Sequence, residues 1–218
     1  RPAGDKRIAL IMANYPNRDG RLANGVGLDT PESVMQTILT LADAGYHVAH
    51  PPSDSAALVA DLRAGPTNEG WRGRVCDAIM PMEAYQAHFI TLPAAVRDEV
   101  TARWGAPDND PMHDGTGFRL PLRRYGNIIV AVQPARGYNI DPKATYHSPD
   151  LLPPHGYFAL YWWLRGEFGA DAVVHFGKHG NLEWLPGKAL SVSSSCLPEI
   201  VLGPLPHLYP FIVNDSGE

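Results

Sequence analysis

An α/β fold, with an open, mostly parallel sheet flanked by helices, is the architecture this sequence predicts, and three observations carry it. Apolar, β-branched runs recur at residues 7–14, 126–134 and 170–176, each about the length of one buried strand. Each is followed by a long loop rich in Gly, Pro, Arg, Asn, Asp and His. Between the runs lie stretches with helix-start signals and periodic apolar positions, an alternation that builds parallel sheets. In such a sheet the long loops converge on the C-terminal strand edge, where ligands gather.

The elements follow in order. Arg7-Ile-Ala-Leu-Ile-Met-Ala-Asn14 reads as the first buried strand. The loop from Tyr15 to Thr30 mixes charge with glycine freedom, and loops of that length inside compact domains are usually functional. Thr30-Pro31-Glu32-Ser33 starts a helix, with the Thr30 hydroxyl as N-cap and Pro at the first helical position. Val34, Ile38, Leu39 and Leu41/Ala42 give it an apolar face, it runs to about Ala44, and Gly45 ends it. Tyr46-His-Val-Ala-His50 then reads as a strand, and a second helix runs from Asp54 to Arg63. Residues 65–117 read as a helical insertion beside the sheet, with two Pro-started helices, Pro81 to Leu92 and Pro93 to Trp104, and a polar loop around Asp108, Asp110, His113 and Asp114. Gly126 to Pro134 is a further buried strand, followed by a loop that carries Arg136, Tyr138, Asn139, Asp141, Lys143, His147 and Asp150. Pro154 to Phe168 is an aromatic-rich helix whose Tyr161, Trp162 and Trp163 are expected to pack on the sheet. Ala170 to Phe176 is the next strand, and the strand-like run beginning at His207 stops near Ser216-Gly217-Glu218. Because position 1 is Arg and that last run ends abruptly, residues 1–218 are expected to form a single α/β segment of something larger.

Composition narrows the function classes. A net charge of -5, with no basic cluster larger than a pair such as Arg123-Arg124, argues against nucleic-acid binding. The two cysteines, Cys76 and Cys196, lie far apart and form no CxxC, so neither a disulfide framework nor a structural zinc site is signalled and a reducing cytoplasm is expected. No run approaches the roughly 20 apolar residues of a spanning helix. Twenty-one Gly and 21 Pro are spread over many loops, which favours a compact body over a low-complexity tail.

The most informative stretch is His175-Phe-Gly-Lys-His-Gly-Asn-Leu-Glu-Trp-Leu-Pro-Gly187. It sets His175, His179 and Glu183 at four-residue intervals, and Gly177, Gly180, Pro186 and Gly187 exclude one long helix through them. All three can coordinate a metal or move a proton. With Lys178 among them they are hard to bury, so the segment reads as an accessible site for proton relay or transient metal delivery. A permanent metal centre of the hydrolase kind is the alternative, although the metalloprotease spacing His-Glu-x-x-His is absent. Arg18, Asp19, Arg21 and Asn24 suit an anionic ligand, since guanidinium forks grip carboxylates. Gly25-Val-Gly27 lacks the third glycine of a dinucleotide fingerprint and the Gly-Lys-Ser/Thr of a P-loop. Trp184, beside Glu183, is the candidate wall for a flat ligand.

Taken together, Tyr15-Pro-Asn-Arg-Asp-Gly-Arg-Leu-Ala-Asn-Gly-Val-Gly-Leu-Asp-Thr-Pro, Gln133-Pro-Ala-Arg-Gly-Tyr, the His175 to Gly187 stretch and Leu205-Pro-His-Leu-Tyr-Pro-Phe-Ile-Val-Asn-Asp resemble the large subunits of aerobic cobaltochelatase and magnesium chelatase. The resemblance runs through essentially the whole chain. It implies an internal segment of a much larger subunit, inactive in isolation, that belongs to an ATP-dependent chelatase of the ligase class. The implied reaction inserts Co2+ into hydrogenobyrinic acid a,c-diamide in cobalamin biosynthesis. ATP and Mg2+ would be used by two smaller AAA+ subunits, which accords with the missing Walker motif, and no permanent cofactor is expected. Mg2+ insertion into protoporphyrin IX is the alternative within the family; a scaffold segment that docks the AAA+ subunits is the alternative of another class. His175, His179 and Glu183 are the expected catalytic and transient metal-binding groups. Asn14, Arg18, Arg21, Asn24, Asp29, Arg136, His147, Lys178 and Trp184 are the expected substrate-binding residues, with Arg18, Arg21 and Arg136 on peripheral carboxylates.

Overall fold

The computed structural model describes residues 1–14, 22, 28–137, 150–177, 182, 185–187 and 193–210. Its elements run β1 (Ile8–Met12), α1 (Thr30–Asp43), α2 (Ser55–Ala64), β2 (Ile79–Pro81), α3 (Met82–Phe89), α4 (Ala94–Trp104), β3 (Gly117–Arg119), β4 (Leu122–Tyr125), β5 (Ile128–Val132), α5 (His155–Arg165), β6 (Ala172–Phe176), α6 (Leu197–Leu202) and β7 (His207–Leu208). The main sheet has the order β4-β5-β1-β6-β7. Pairing is parallel from β5 through β1 and β6 to β7, and β4 closes one edge as an antiparallel partner of β5. This is the open, mostly parallel sheet with flanking helices that the apolar runs predict.

Every residue of β1 and β5 is buried, because helices cover both faces. On one face Ile8, Leu10, Met12, Ile128, Val130 and Val132 meet Val34 and Ile38 of α1 and Leu58 and Leu62 of α2. On the other, Ala9, Ile11, Ile129, Ala131 and Val173 meet α5. All residues from His155 to Leu164 of α5 are buried. An amphipathic helix would leave one side wet; this one is covered outside as well, by Met80, Tyr85, Val96 and Val100 from the stretch that the sequence marks as an insertion and by Phe118 just after it. That stretch holds α3 and α4, capped by Pro81 and Pro93. It also holds a small antiparallel ladder, β2 with β3, that the composition does not announce.

Two local expectations are corrected. Asp29, not Thr30, caps α1: its Oδ1 accepts from the Glu32 amide at 3.1 Å, and Thr30 is the first helical residue. A carboxylate there also meets the positive end of the helix dipole. Residues 46–50 form no strand. Both sides of β1 are already occupied, so this segment runs past the β4–β5 turn, where the Asn127 amide donates to the His47 carbonyl at 2.9 Å. Gly126 makes that turn possible, with φ of 69° and no room for a Cβ, which would lie 2.8 Å from the His47 oxygen. Among the described residues no helix is long and apolar enough to cross a membrane.

Candidate functional site

The chain leaves β1 over one face of the sheet, towards α1, and leaves its neighbours β5 and β6 over the other, towards α5 and α6. The C-terminal end of β1 is therefore a topological switch point, where the diverging connections open a crevice. Strand pairing continues up to it: the Ala13 amide donates to the Phe176 carbonyl at 2.7 Å and the Gln133 amide to Met12 at 2.9 Å. Gly177 follows β6 with φ of 149°, and a Cβ on it would lie 2.3 Å from that of Ala13. Only glycine lets the two chains part so closely there.

Three polar side chains stand at this edge, all but sealed from solvent: Asn14 at 2% exposure, Gln133 at 1% and His175 at 3%. Strand alternation turns Gln133 and His175 to the α5 face, where both meet Tyr161. The Tyr161 hydroxyl donates to Gln133 Oε1 at 2.8 Å and lies 2.9 Å from His175 Nε2. The other ring nitrogen of His175, Nδ1, is 2.6 Å from His207 Nε2. His207 comes from β7, whose pairing with β6 sets it opposite Val173. It is exposed, and its ring stands edge-on to His175 at 88° and stacks on Tyr209 at 10°. Burial, reinforced by the neighbouring His207 ring, pushes the His175 imidazole down to about 3, so it is neutral at physiological pH. Packing against its neighbours on one side desolvates the otherwise exposed His207 ring and lowers its pKa as well.

Among the described residues, neither amide atom of Asn14 has a hydrogen-bond partner, nor does Gln133 Nε2. A buried polar group left unsatisfied costs about 1–3 kcal/mol; strand alternation turns Asn14 to the α1 face and Gln133 to the α5 face, so each marks a place for a polar ligand group on its own side of the strand edge. Arg136 is buried too, and one of its guanidinium bonds goes to the Leu151 carbonyl at 3.1 Å. Asp29 is exposed and occupied in part by capping α1. Arg18, Arg21, Asn24, His147, Lys178, His179, Glu183 and Trp184 lie outside the described residues. Of the expected site residues, the structure thus brings Asn14 and His175 to one strand edge. Sequence reasoning leaves Gln133 and His207 out of the site and reads Tyr161 as core; only the strand spacing of His207 and Tyr209, which puts both on one face, hints at the last strand's part.

A second buried imidazole has a structural use. His155 Nε2 donates to the Gly105 carbonyl at 3.0 Å, which leaves Nδ1 to accept from the Tyr85 hydroxyl at 2.6 Å. This pair locks α3 and the end of α4 onto α5. Beside it a cleft of about 140 Å³ opens between Pro111, Arg119, Pro134, Pro154 and Tyr157. Sites for drug-sized ligands span about 300–1,000 Å³, so this cleft is too small for a tetrapyrrole. Among the described residues no three His, Cys, Asp or Glu side chains come together to hold a metal ion.

Comparison with known proteins gives a consistent picture. The family model described as CobN/Magnesium Chelatase matches residues 1–218. An aerobic cobaltochelatase subunit CobN from Sinorhizobium sp is 57% identical over 98% of this chain and 17% of its own length. The chloroplastic magnesium-chelatase subunit ChlH from Oryza sativa subsp. indica is 30% identical over 98% of this chain and 15% of its own. Among solved structures, the catalytic subunit of cobaltochelatase from Mycobacterium tuberculosis superposes with a TM-score of 0.81 and 42% identity, over 100% of this chain and 19% of that one. The chain spans less than a fifth of the length of these relatives.

Proposed function

The chain belongs to the CobN/magnesium chelatase family, and on that premise we propose that it supplies part of the macrocycle- and metal-binding site of a cobaltochelatase large subunit. The reaction inserts Co2+ into hydrogenobyrinic acid a,c-diamide, with ATP and Mg2+ used by two smaller AAA+ subunits. The observation that carries this reading is the histidine pair, His175 and His207, at the switch-point edge of the sheet, with Gln133 joined to it through Tyr161. The 57% and 50% identities to relatives named as aerobic cobaltochelatase subunits favour cobalt over magnesium.

The chemistry asks for such groups. Metal insertion displaces ring N–H hydrogen as protons, one from a corrin and two from a porphyrin, so bases must take up protons and donors must replace water on the arriving metal. Neutral imidazoles do both, and they suit Co2+ better than Mg2+, which prefers oxygen. Both nitrogens of His175 are already hydrogen-bonded, so in this arrangement it supports the site from behind. His179 and Glu183, in the segment after β6, are the proposed groups for metal and proton transfer. Asn14, Arg18, Arg21, Asn24, Arg136, His147, Lys178 and Trp184 are the proposed contacts to the ring and its peripheral carboxylates and amides, and Asp29 joins them at the start of α1.

The test is metal insertion by the complete protein with its partner subunits, alongside macrocycle affinity from quenching of tryptophan fluorescence. His175→Ala, His179→Ala and Glu183→Ala are each expected to lower the insertion rate by about tenfold or more while changing affinity by less than about threefold. Equal loss of both would reduce these residues to shaping the cavity. Stoichiometric, tightly held zinc with a hydrolytic activity lost on chelation would overturn the chelatase reading.

A further inference from the structure

We propose that Nδ1 of His207 is the imidazole donor that meets the incoming metal, and that His175, Tyr161 and Gln133 stand behind it as positioning residues that hold it in the required tautomer. The inference rests on the chelatase reading and gives His207 a role that reading does not assign.

It follows from hydrogen bookkeeping along one chain of contacts. Tyr161 has a single hydroxyl hydrogen, and that hydrogen goes to Gln133 Oε1 at 2.8 Å. Towards His175 the phenol oxygen must therefore accept, so His175 carries its proton on Nε2, 2.9 Å away. A neutral imidazole has one N–H, which leaves His175 Nδ1 as a bare lone pair. His207 Nε2, 2.6 Å from that lone pair, must then be the donor. The chain thus reads His207 Nε2–H to His175 Nδ1, His175 Nε2–H to Tyr161 Oη, and Tyr161 O–H to Gln133 Oε1. It ends in a carboxamide, which is far too weak a base to pass a proton on, so it sets direction and does not conduct.

The consequence lies at the other end. His207 is left with its lone pair on Nδ1, and among the described residues no group bonds to that atom. His175 is 3% exposed, whereas His207 is exposed. A ligating histidine typically donates its second ring N–H to a fixed acceptor, which orients the ring and raises its basicity. Here His175 is that acceptor, itself fixed by Tyr161 on the fully buried α5. The His207 ring is held further by the stacked Tyr209 ring and by β7 pairing with β6, including the Val173 amide to the Pro206 carbonyl at 2.9 Å. A pre-oriented imidazole at the rim recruits a borderline divalent ion such as Co2+ and discriminates against Mg2+.

The experiment titrates CoCl2 into the complete protein and reads the visible d–d bands and the imidazole scattering in cobalt K-edge X-ray absorption, with macrocycle quenching measured in parallel. His207→Gln keeps an N–H for His175 but removes the imidazole lone pair. It is expected to weaken Co2+ binding at least tenfold and to remove one imidazole from the cobalt shell, with quenching unchanged. Tyr161→Phe is expected to keep that imidazole and to weaken binding about tenfold, the scale of an outer-shell loss. Unchanged Co2+ affinity and shell in His207→Gln, with macrocycle binding intact, overturns the assignment of His207 and leaves the chelatase reading standing. Failure of the unaltered protein to bind either Co2+ or macrocycle overturns both.

Discussion

Replacing Tyr161 with Phe removes one oxygen atom from the centre of the site and nothing else. The ring keeps its packing against Tyr157, with centroids 5.4 Å apart. What is lost is the acceptor for His175 Nε2–H and the donor to Gln133 Oε1, on residues that are 3% and 1% exposed. Each buried orphan costs about 1–3 kcal/mol, so about 2–4 kcal/mol is expected after local relaxation. At about 1.4 kcal/mol per factor of ten, that corresponds to amide hydrogen exchange accelerated about 30- to 700-fold wherever opening breaks the network. Exchange followed by mass spectrometry should show the increase in peptides covering residues 157–164 and 172–176, because those segments carry the two rings. Tyr125→Phe is the control: its hydroxyl donates to Asp61 Oδ2 at 3.0 Å on the opposite face, and its effect should stay near α2. Rates in both target peptides within threefold of the unaltered protein would show that the hydroxyl is not the keystone inferred from its contacts.

Acidification and one capping substitution test other parts of the structure. The folded His175 pKa of about 3 lies below its ordinary value of 6.5, so the unfolded chain takes up the proton first as pH falls. The stabilisation from the neutral ring is complete above about pH 6.5 and erodes by up to about 1.4 kcal/mol per pH unit towards pH 3. Exchange protection of β6 measured between pH 7 and pH 4 should follow that slope, and His175→Gln should abolish it. Asp29→Ala should cost about 1 kcal/mol, the usual loss for an N-cap. Because Asp29 is also a proposed contact to the macrocycle, macrocycle affinity should fall along with exchange protection in α1; a loss confined to exchange in α1, with quenching unchanged, would reduce the carboxylate to its cap.

What is legible in the sequence is what strand and helix periodicity govern. The strands at 8–12 and 128–132 stand out because both faces of each are covered, so their runs are continuously apolar, and 172–176 stands out by its Ala-Val-Val run although Ala172 and Val174 are only half-buried. The helices after Pro81 and Pro93 are legible because proline preorganises a helix start. Residues 46–50 imitate a strand because Tyr46 and Val48 are apolar for a different reason: they pack against the α1 side of the core without joining a ladder. β4 and the β2–β3 ladder leave no clear trace because Leu122–Tyr125 and Gly117–Arg119 carry Arg, Gly and Phe in no regular alternation, and only their partners make them strands.

The site shows the same division more sharply. His175 is conspicuous in the sequence because His179 and Glu183 follow it at regular spacing, yet the structure turns its ring inward, onto the α5 face, and seals it against Tyr161. The partner that gives its position meaning lies 32 residues further on. Nothing local marks His207: its strand is two residues long, and that strand reaches β6 only because α6 carries the chain back across the α5 face. The tautomer chain is a property of four residues from the end of β5, α5, β6 and β7, and each of them alone has an ordinary explanation: a strand-end amide, a core tyrosine, a buried histidine, a surface histidine. A spacing motif can locate chemistry that one segment carries. Chemistry divided among parallel strands that meet only through crossovers becomes visible when the register does, and here the Val173 to His207 pairing is the register that decides it.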